Sequence, residues 1–138
     1  DPKRVILKNK DVVLGPADGI VVSISGVDSV PEELSVEVDS RFIKISIFLS
    51  VFDVHVNRMP VSGIVKSMAY VPGMFSNAFY DGASFKNERQ IILIENDDSE
   101  KFVVTQVAGL IARRIVCDVA VDDSISAGDR FGIIKIWQ

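Results

Sequence analysis

The sequence is short of the residues that most often carry chemistry. Its 138 residues include one cysteine and one histidine. A single cysteine, Cys117, excludes an internal disulfide and fits a reducing compartment. It lies in an apolar run, which points to a buried and inert thiol. The lone histidine, His55, is the one side chain with an ordinary proton equilibrium near neutrality. Basic residues are also outnumbered, 15 Lys plus Arg against 19 Asp plus Glu, for a net charge of −4. That balance argues against a nucleic-acid binder, although local basic spots remain at Arg113-Arg114 and at Lys86 with Arg89. No run of about eighteen apolar residues occurs, so no segment here reads as a membrane-spanning helix. The longest candidate, residues 43–52, is interrupted by Lys44, Ser46 and Ser50. The first residue is Asp1 rather than Met, as in a chain cut from a longer one, which leaves an upstream anchor open.

What is present is strand signal. A composition of 48% hydrophobic and 25% charged residues is that of a folded globular chain, read here as a single domain over residues 1–138. Residues 5–7 and 11–14 are short apolar pieces ending at the turn Gly15-Pro16-Ala17-Asp18-Gly19. Residues 20–24 form a near-continuous apolar strand, and residues 34–38 alternate as a half-buried strand should. The alternation is stronger at residues 41–49, which puts Ile43, Ile45, Ile47 and Leu49 on one face. Residues 64–71 are strand-like; residues 74–88 are irregular, with Phe75, Phe79, Tyr80 and Phe85 among polar residues. Residues 90–95 and 102–107 read as a hairpin about Asn96-Asp97-Asp98-Ser99. Residues 110–121 fit either a short helix or two strands. A Gly128-Asp129 turn then precedes a last strand at residues 131–136.

About ten short antiparallel strands with little helix, separated by Gly and Pro turns, predict a mainly β, barrel-sandwich-like sheet that folds over on itself. An internal echo supports this reading. Pro16-Ala17-Asp18-Gly19-Ile20-Val21 and Pro60-Val61-Ser62-Gly63-Ile64-Val65 share Pro-x-x-Gly-Ile-Val, each a turn delivering the chain into a buried strand. With Ala127-Gly128-Asp129-Arg130-Phe131-Gly132 closing the chain, the pattern is that of two related halves.

His55 sits at the centre of the segment Phe52-Asp53-Val54-His55-Val56-Asn57-Arg58-Met59-Pro60-Val61-Ser62-Gly63. Together with Pro16-Ala17-Asp18-Gly19, Tyr70-Val71-Pro72-Gly73, Asn87-Glu88-Arg89, Gln106-Val107-Ala108-Gly109-Leu110-Ile111 and Gly128-Asp129-Arg130-Phe131-Gly132, it resembles the phosphatidylserine decarboxylases, in particular their short branch. The resemblance implies proenzymes that cut themselves at a Gly-Ser bond into a β chain and a small α chain. The serine becomes a pyruvoyl group on the α chain, an electron sink for loss of CO2 from the substrate amine through a Schiff base. Partners implied are that α chain, phosphatidylserine, the cytoplasmic face of a membrane and a homodimer, with no nucleic acid and no metal. By the resemblance Asp18 matches the acidic member of the self-cleavage machinery, and His55 the histidine that handles protons during decarboxylation.

Two departures stand out. Longer members carry a second histidine just before Met-Pro, where this chain has Arg58, which stays protonated and is no ordinary base. Arg58 is either a partner for substrate phosphate or carboxylate or a surface ion-pair residue, and Phe75 and Phe79 are candidate walls for the lipid. At the other end Trp137-Gln138 stands where Gly-Ser is expected, so no pyruvoyl group can form on this chain as written. An altered end, a frameshifted gene and a decayed decarboxylase all stay open. The alternative from another class is a non-catalytic barrel-sandwich carrier or binding domain. A carrier needs a lysine at a hairpin tip, a poor match to Lys66, and phosphocarrier domains typically pair two histidines.

Overall fold

A computed structural model describes residues 11–38, 40–49, 55–75, 85–108 and 114–135. Among these the chain is mainly β with antiparallel strands throughout. The strands are β1 (Ile20–Val27), β2 (Phe42–Phe48), β3 (Val56–Arg58), β4 (Gly63–Val71), β5 (Met74–Phe75), β6 (Phe85–Lys86), β7 (Arg89–Glu95), β8 (Lys101–Val107), β9 (Arg114–Cys117), β10 (Ser124–Ile125) and β11 (Arg130–Lys135). They pair as β10-β4-β7-β8, as β3-β11-β9, and as the two-stranded ribbons β1-β2 and β5-β6.

The core is built around β7. Its continuous apolar run Ile91-Ile92-Leu93-Ile94 is buried on both faces, as expected for a strand covered on each side. Ile92 and Ile94 face a cluster with Met59, Val61, Val65, Val104, Ile125 and Phe131. Ile91 and Leu93 face a second cluster with Val30 and Leu34. Each such side chain taken out of water contributes about 1.5–3 kcal/mol, so the two clusters together dominate the stabilisation. The β7–β8 hairpin turns at residues 96–99, where Asn96 Oδ1 accepts from the backbone N–H groups of Asp98 and Glu100 at 3.1 and 2.8 Å. That is the expected hairpin, with Ser99 in a left-handed conformation at φ 61°.

The echo has a structural counterpart. Ile20 pairs with Phe48 and Ile64 with Glu95. A Cβ at Gly19 would stand 2.3 Å from the Phe48 carbonyl oxygen, and one at Gly63 would stand 2.3 Å from that of Glu95. Only a residue without a side chain lets the strands meet this closely. The registers then shift at matching places, between Val21 and Ser23 in β1 and between Val65 and Ser67 in β4. Both strands therefore open on the same Gly-Ile-Val step followed by a bulge.

Other expectations are corrected. Residues 11–14 are not a strand; Leu14 N–H donates to the Pro60 carbonyl at 2.9 Å instead. Residues 34–38 do not form one either, because the acidic run enters a 3-10 turn at Glu32–Leu34 and leaves it through Ser35 at φ 55°. β1 is exposed rather than buried, and Ile43 is 75% exposed although alternation marked its face as the apolar one. Alternation fixes which residues share a face, but not whether another element covers it. Residues 114–117 form β9, while residues 5–7 and residues 110–113, where the short helix was the alternative, lie outside the described part.

Candidate functional site

His55 lies just before β3, and the β3–β11 ladder continues to it: Ile134 N–H donates to the His55 carbonyl at 3.2 Å. Both ring nitrogens of His55 are buried without a hydrogen-bond partner among the described residues. Buried polar atoms are nearly always paired, so an imidazole with two such nitrogens stands out from ordinary core packing. Asp18 belongs to the turn before β1. The Pro16 carbonyl of that turn accepts from Arg58 N–H at 2.9 Å, so the turn bearing Asp18 is stitched to the strand that His55 leads into. The Asp-Gly pair suits the turn, and Gly19 gives the close approach to Phe48 that anchors it.

Arg58 faces the closing turn. Its Nη1 donates to the Gly128 carbonyl at 3.0 Å, while Met59 exchanges backbone bonds with Gly128 and Asp129 at 2.7 and 2.8 Å. Gly128 takes φ 87°, a left-handed conformation that favours glycine. Ser62 Oγ accepts from Ala127 N–H at 2.8 Å and completes the clasp. Met59, Pro60 and Val61 are buried beside it, so the Met-Pro step is core as well as connector.

A cavity of about 850 Å³ opens alongside. It is bounded by Pro16 and Ala17 of the Asp18 turn, by Ile45 and Ile47 of β2, and by Asn57, Gln106, Phe131 and Ile134. The walls are chiefly apolar, with a few polar groups, the usual character of a small-molecule pocket. At its rim Arg89 donates to Glu33 Oε2 at 2.7 Å, and this holds the Glu33 carboxyl below its ordinary range. Its floor holds a buried amide pair: Gln106 Nε2 donates to Asn57 Oδ1 at 2.9 Å and to the Val116 carbonyl at 3.3 Å.

Asn87-Glu88-Arg89 turns out to be a three-way brace. Asn87 Nδ2 donates to the Ala108 carbonyl at 2.6 Å, and the Glu88 backbone carbonyl accepts from Ala108 N–H. Glu88 Oε1 accepts from Ile115 N–H at 2.9 Å, and its other oxygen accepts from the Tyr70 hydroxyl. The end of β8 and the start of β9 are thus tied to one dipeptide.

The structure brings the segments of His55, Asp18 and Arg58 together through backbone bonds. Phe75 lies in β5, which pairs with β6, while Phe79, Trp137 and Gln138 fall outside the described residues. Lys66 is exposed in mid-β4 rather than at a hairpin tip, which removes the carrier geometry. Sequence reasoning gave no role to Gln106 or Asn57. The signal was there: Gln106 continues the inward alternation Val104-x-Gln106-x-Ala108, where an apolar residue is the rule.

A family model described as phosphatidylserine decarboxylase matches residues 1–136. The chain is 50% identical over 135 residues to a phosphatidylserine decarboxylase proenzyme of Wolbachia sp. subsp. Brugia malayi, an alignment covering 98% of this chain and 58% of that protein. It is 47% identical to the proenzyme of that name from Rickettsia prowazekii, and 46% to that of Pelagibacter ubique, of which it covers 58% and 62%. The chain therefore spans less than two thirds of the length of these relatives.

Proposed function

Because the chain belongs to the phosphatidylserine decarboxylase family, we propose that it forms the body of a pyruvoyl-dependent carboxy-lyase that converts phosphatidylserine to phosphatidylethanolamine in phospholipid synthesis. The observation that carries this reading is His55, whose two buried ring nitrogens have no partner among the described residues. Such a ring fits a site that receives a polar group from elsewhere, here the substrate and a pyruvoyl group on a separate α chain. The pyruvoyl group supplies the electron sink when it is present. His55 holds or delivers the proton at the carbon that loses CO2, a task that needs a base and acid of near-neutral character.

Asp18, on the turn bonded to Arg58, acts in proenzyme self-cleavage, orienting or deprotonating the group that activates the serine. Arg58 steadies the closing turn through Gly128, and its guanidinium is the group to serve a phosphate or carboxylate. The cavity beside Asn57 takes part of the substrate; Phe75 and Phe79 belong to the lipid wall. The exposed apolar side chains of β1 and β2 suit a protein that works at a membrane surface.

Intact mass spectrometry of the native gene product tests the reading. A cleaved pair with a pyruvoyl-terminated α peptide is expected; a single uncut chain without decarboxylase activity overturns it. In an active form His55→Ala is expected to abolish CO2 release while leaving cleavage measurable by mass. Retained decarboxylation would remove the assignment of His55.

A further inference from the structure

The buried amide pair that joins β8 to β3 has a geometry that ordinary core packing does not explain. Gln106 is 2% exposed and Asn57 4%. The orientation of the Gln106 amide is fixed by chemistry: the Val116 carbonyl can only accept, so the nitrogen must face it. The same nitrogen donates to Asn57 Oδ1, which uses both of its protons. Gln106 Oε1 is left buried with no partner among the described residues. An unpaired buried carbonyl destabilises the fold, and a leucine at this inward position would carry no such cost.

The surroundings are shaped to accommodate the pair. β11 carries a bulge between Arg130 and Gly132, which brings Gly132 opposite Asn57 on one side and Cys117 on the other. A Cβ at Gly132 would stand 2.6 Å from Gln106 Nε2 and 2.3 Å from the Val116 carbonyl oxygen, so the amide occupies room that only glycine leaves. Asn57 follows His55 by two residues, and the strand period returns it to the same face. The bond from Gln106 thus reaches across from β8 to the short strand that His55 leads into.

We propose that Gln106, acting through Asn57 and seated in the gap left by Gly132, is a positioning residue that fixes the placement of the His55 ring. The proposal rests on the decarboxylase reading for its kinetic consequence, but not for its structural one. Backbone bonds fix the main chain of this three-residue strand but not the His55 ring, whose nitrogens have no partner among the described residues. The bond from Gln106 adds a side-chain anchor two residues on. Losing the cross-strand amide lets the ring turn, and small misplacements of a reacting group cost rate rather than affinity.

The test uses the full-length processed protein, with its histidines labelled with nitrogen-15. The His55 ring signals are assigned by their absence in His55→Gln. In Gln106→Leu these signals are expected to move and their tautomer ratio to change, with kcat down about 100-fold and KM nearly unchanged. Gln106→Glu keeps the shape and serves if the leucine variant does not accumulate. Its ionised carboxylate repels the Val116 carbonyl and displaces the ring signals. On acidification the neutral acid can donate again, and the signals are expected to return toward wild type. His55 signals that superimpose on wild type in a folded Gln106 variant overturn the proposal, whatever kcat does. If the signals move but the wild-type protein releases no CO2, the positioning role stands and the decarboxylase reading fails.

Discussion

Glycines separate into those that make room and those that merely occupy a strand. Gly132 makes room, since its missing side chain would meet the Val116 carbonyl, which as backbone cannot step aside. Gly26 in β1 has nothing within 4 Å of its Cβ position. Gly132→Ala is therefore expected to destabilise by about 1–3 kcal/mol through overpacking, whereas Gly26→Ala stays within about 1 kcal/mol and is more often stabilising. Urea midpoints of the two variants against wild type check this, and equal midpoints would contradict the packing seen at β11. Cys117 belongs to the same neighbourhood, where burial pushes its thiol up from its ordinary value. That agrees with the inert cysteine read from its apolar run. At this scale the sequence announced residue types well: His55 and Asp18 stood out by rarity and context. It did not announce partners, because the Gln106–Asn57 bond joins positions 49 residues apart.

Elements show where pattern succeeds and where it stops. The apolar run of β7 was legible as a strand, and its double-sided burial follows from having β4 and β8 as neighbours and a cluster on each face. β2 alternates more clearly than β7, yet its Ile43 and Ile45 face solvent. Periodicity is local, whereas cover comes from segments distant in sequence. Leu34 fits a strand pattern but closes the acidic 3-10 turn Glu32–Leu34 instead, and that turn is anchored by Glu33 on Arg89. That ion pair carries a pH signature. The Glu33 carboxyl is held below its ordinary value of 4.5 by Arg89, so the folded state favours the ionised form. Its contribution is present above the unfolded value and is lost as pH falls through the folded one. Unfolding free energies from about pH 6 to about pH 3 should fall more steeply in wild type than in Glu33→Gln, by less than about 1 kcal/mol in all. Parallel curves would show that the pair does not couple to folding.

Across the whole molecule, two halves open alike but finish differently. Gly19 and Gly63 each start a strand against a partner's carbonyl, and each strand bulges at the same step. In one half the resulting pair, β4 and β7, is enclosed. In the other, β1 and β2 stand with Ile20, Ile24 and Ile43 at 68–75% exposure. An isolated two-stranded ribbon is marginal in water, and three or more strands or a packed face are needed for independent stability. The chain thus carries two clocks. An amide of β7 exchanges its hydrogen only when both clusters come apart, while one of β1 needs only its own ribbon to part from β2. Native-state hydrogen exchange is expected to set the two groups apart by on the order of 100-fold or more; uniform protection would mean that the ribbon opens only with the core. Whatever covers β1 and β2 in the working protein would slow the fast clock and leave the slow one unchanged, so the amides of β1 report occupancy of that face without any substrate or activity.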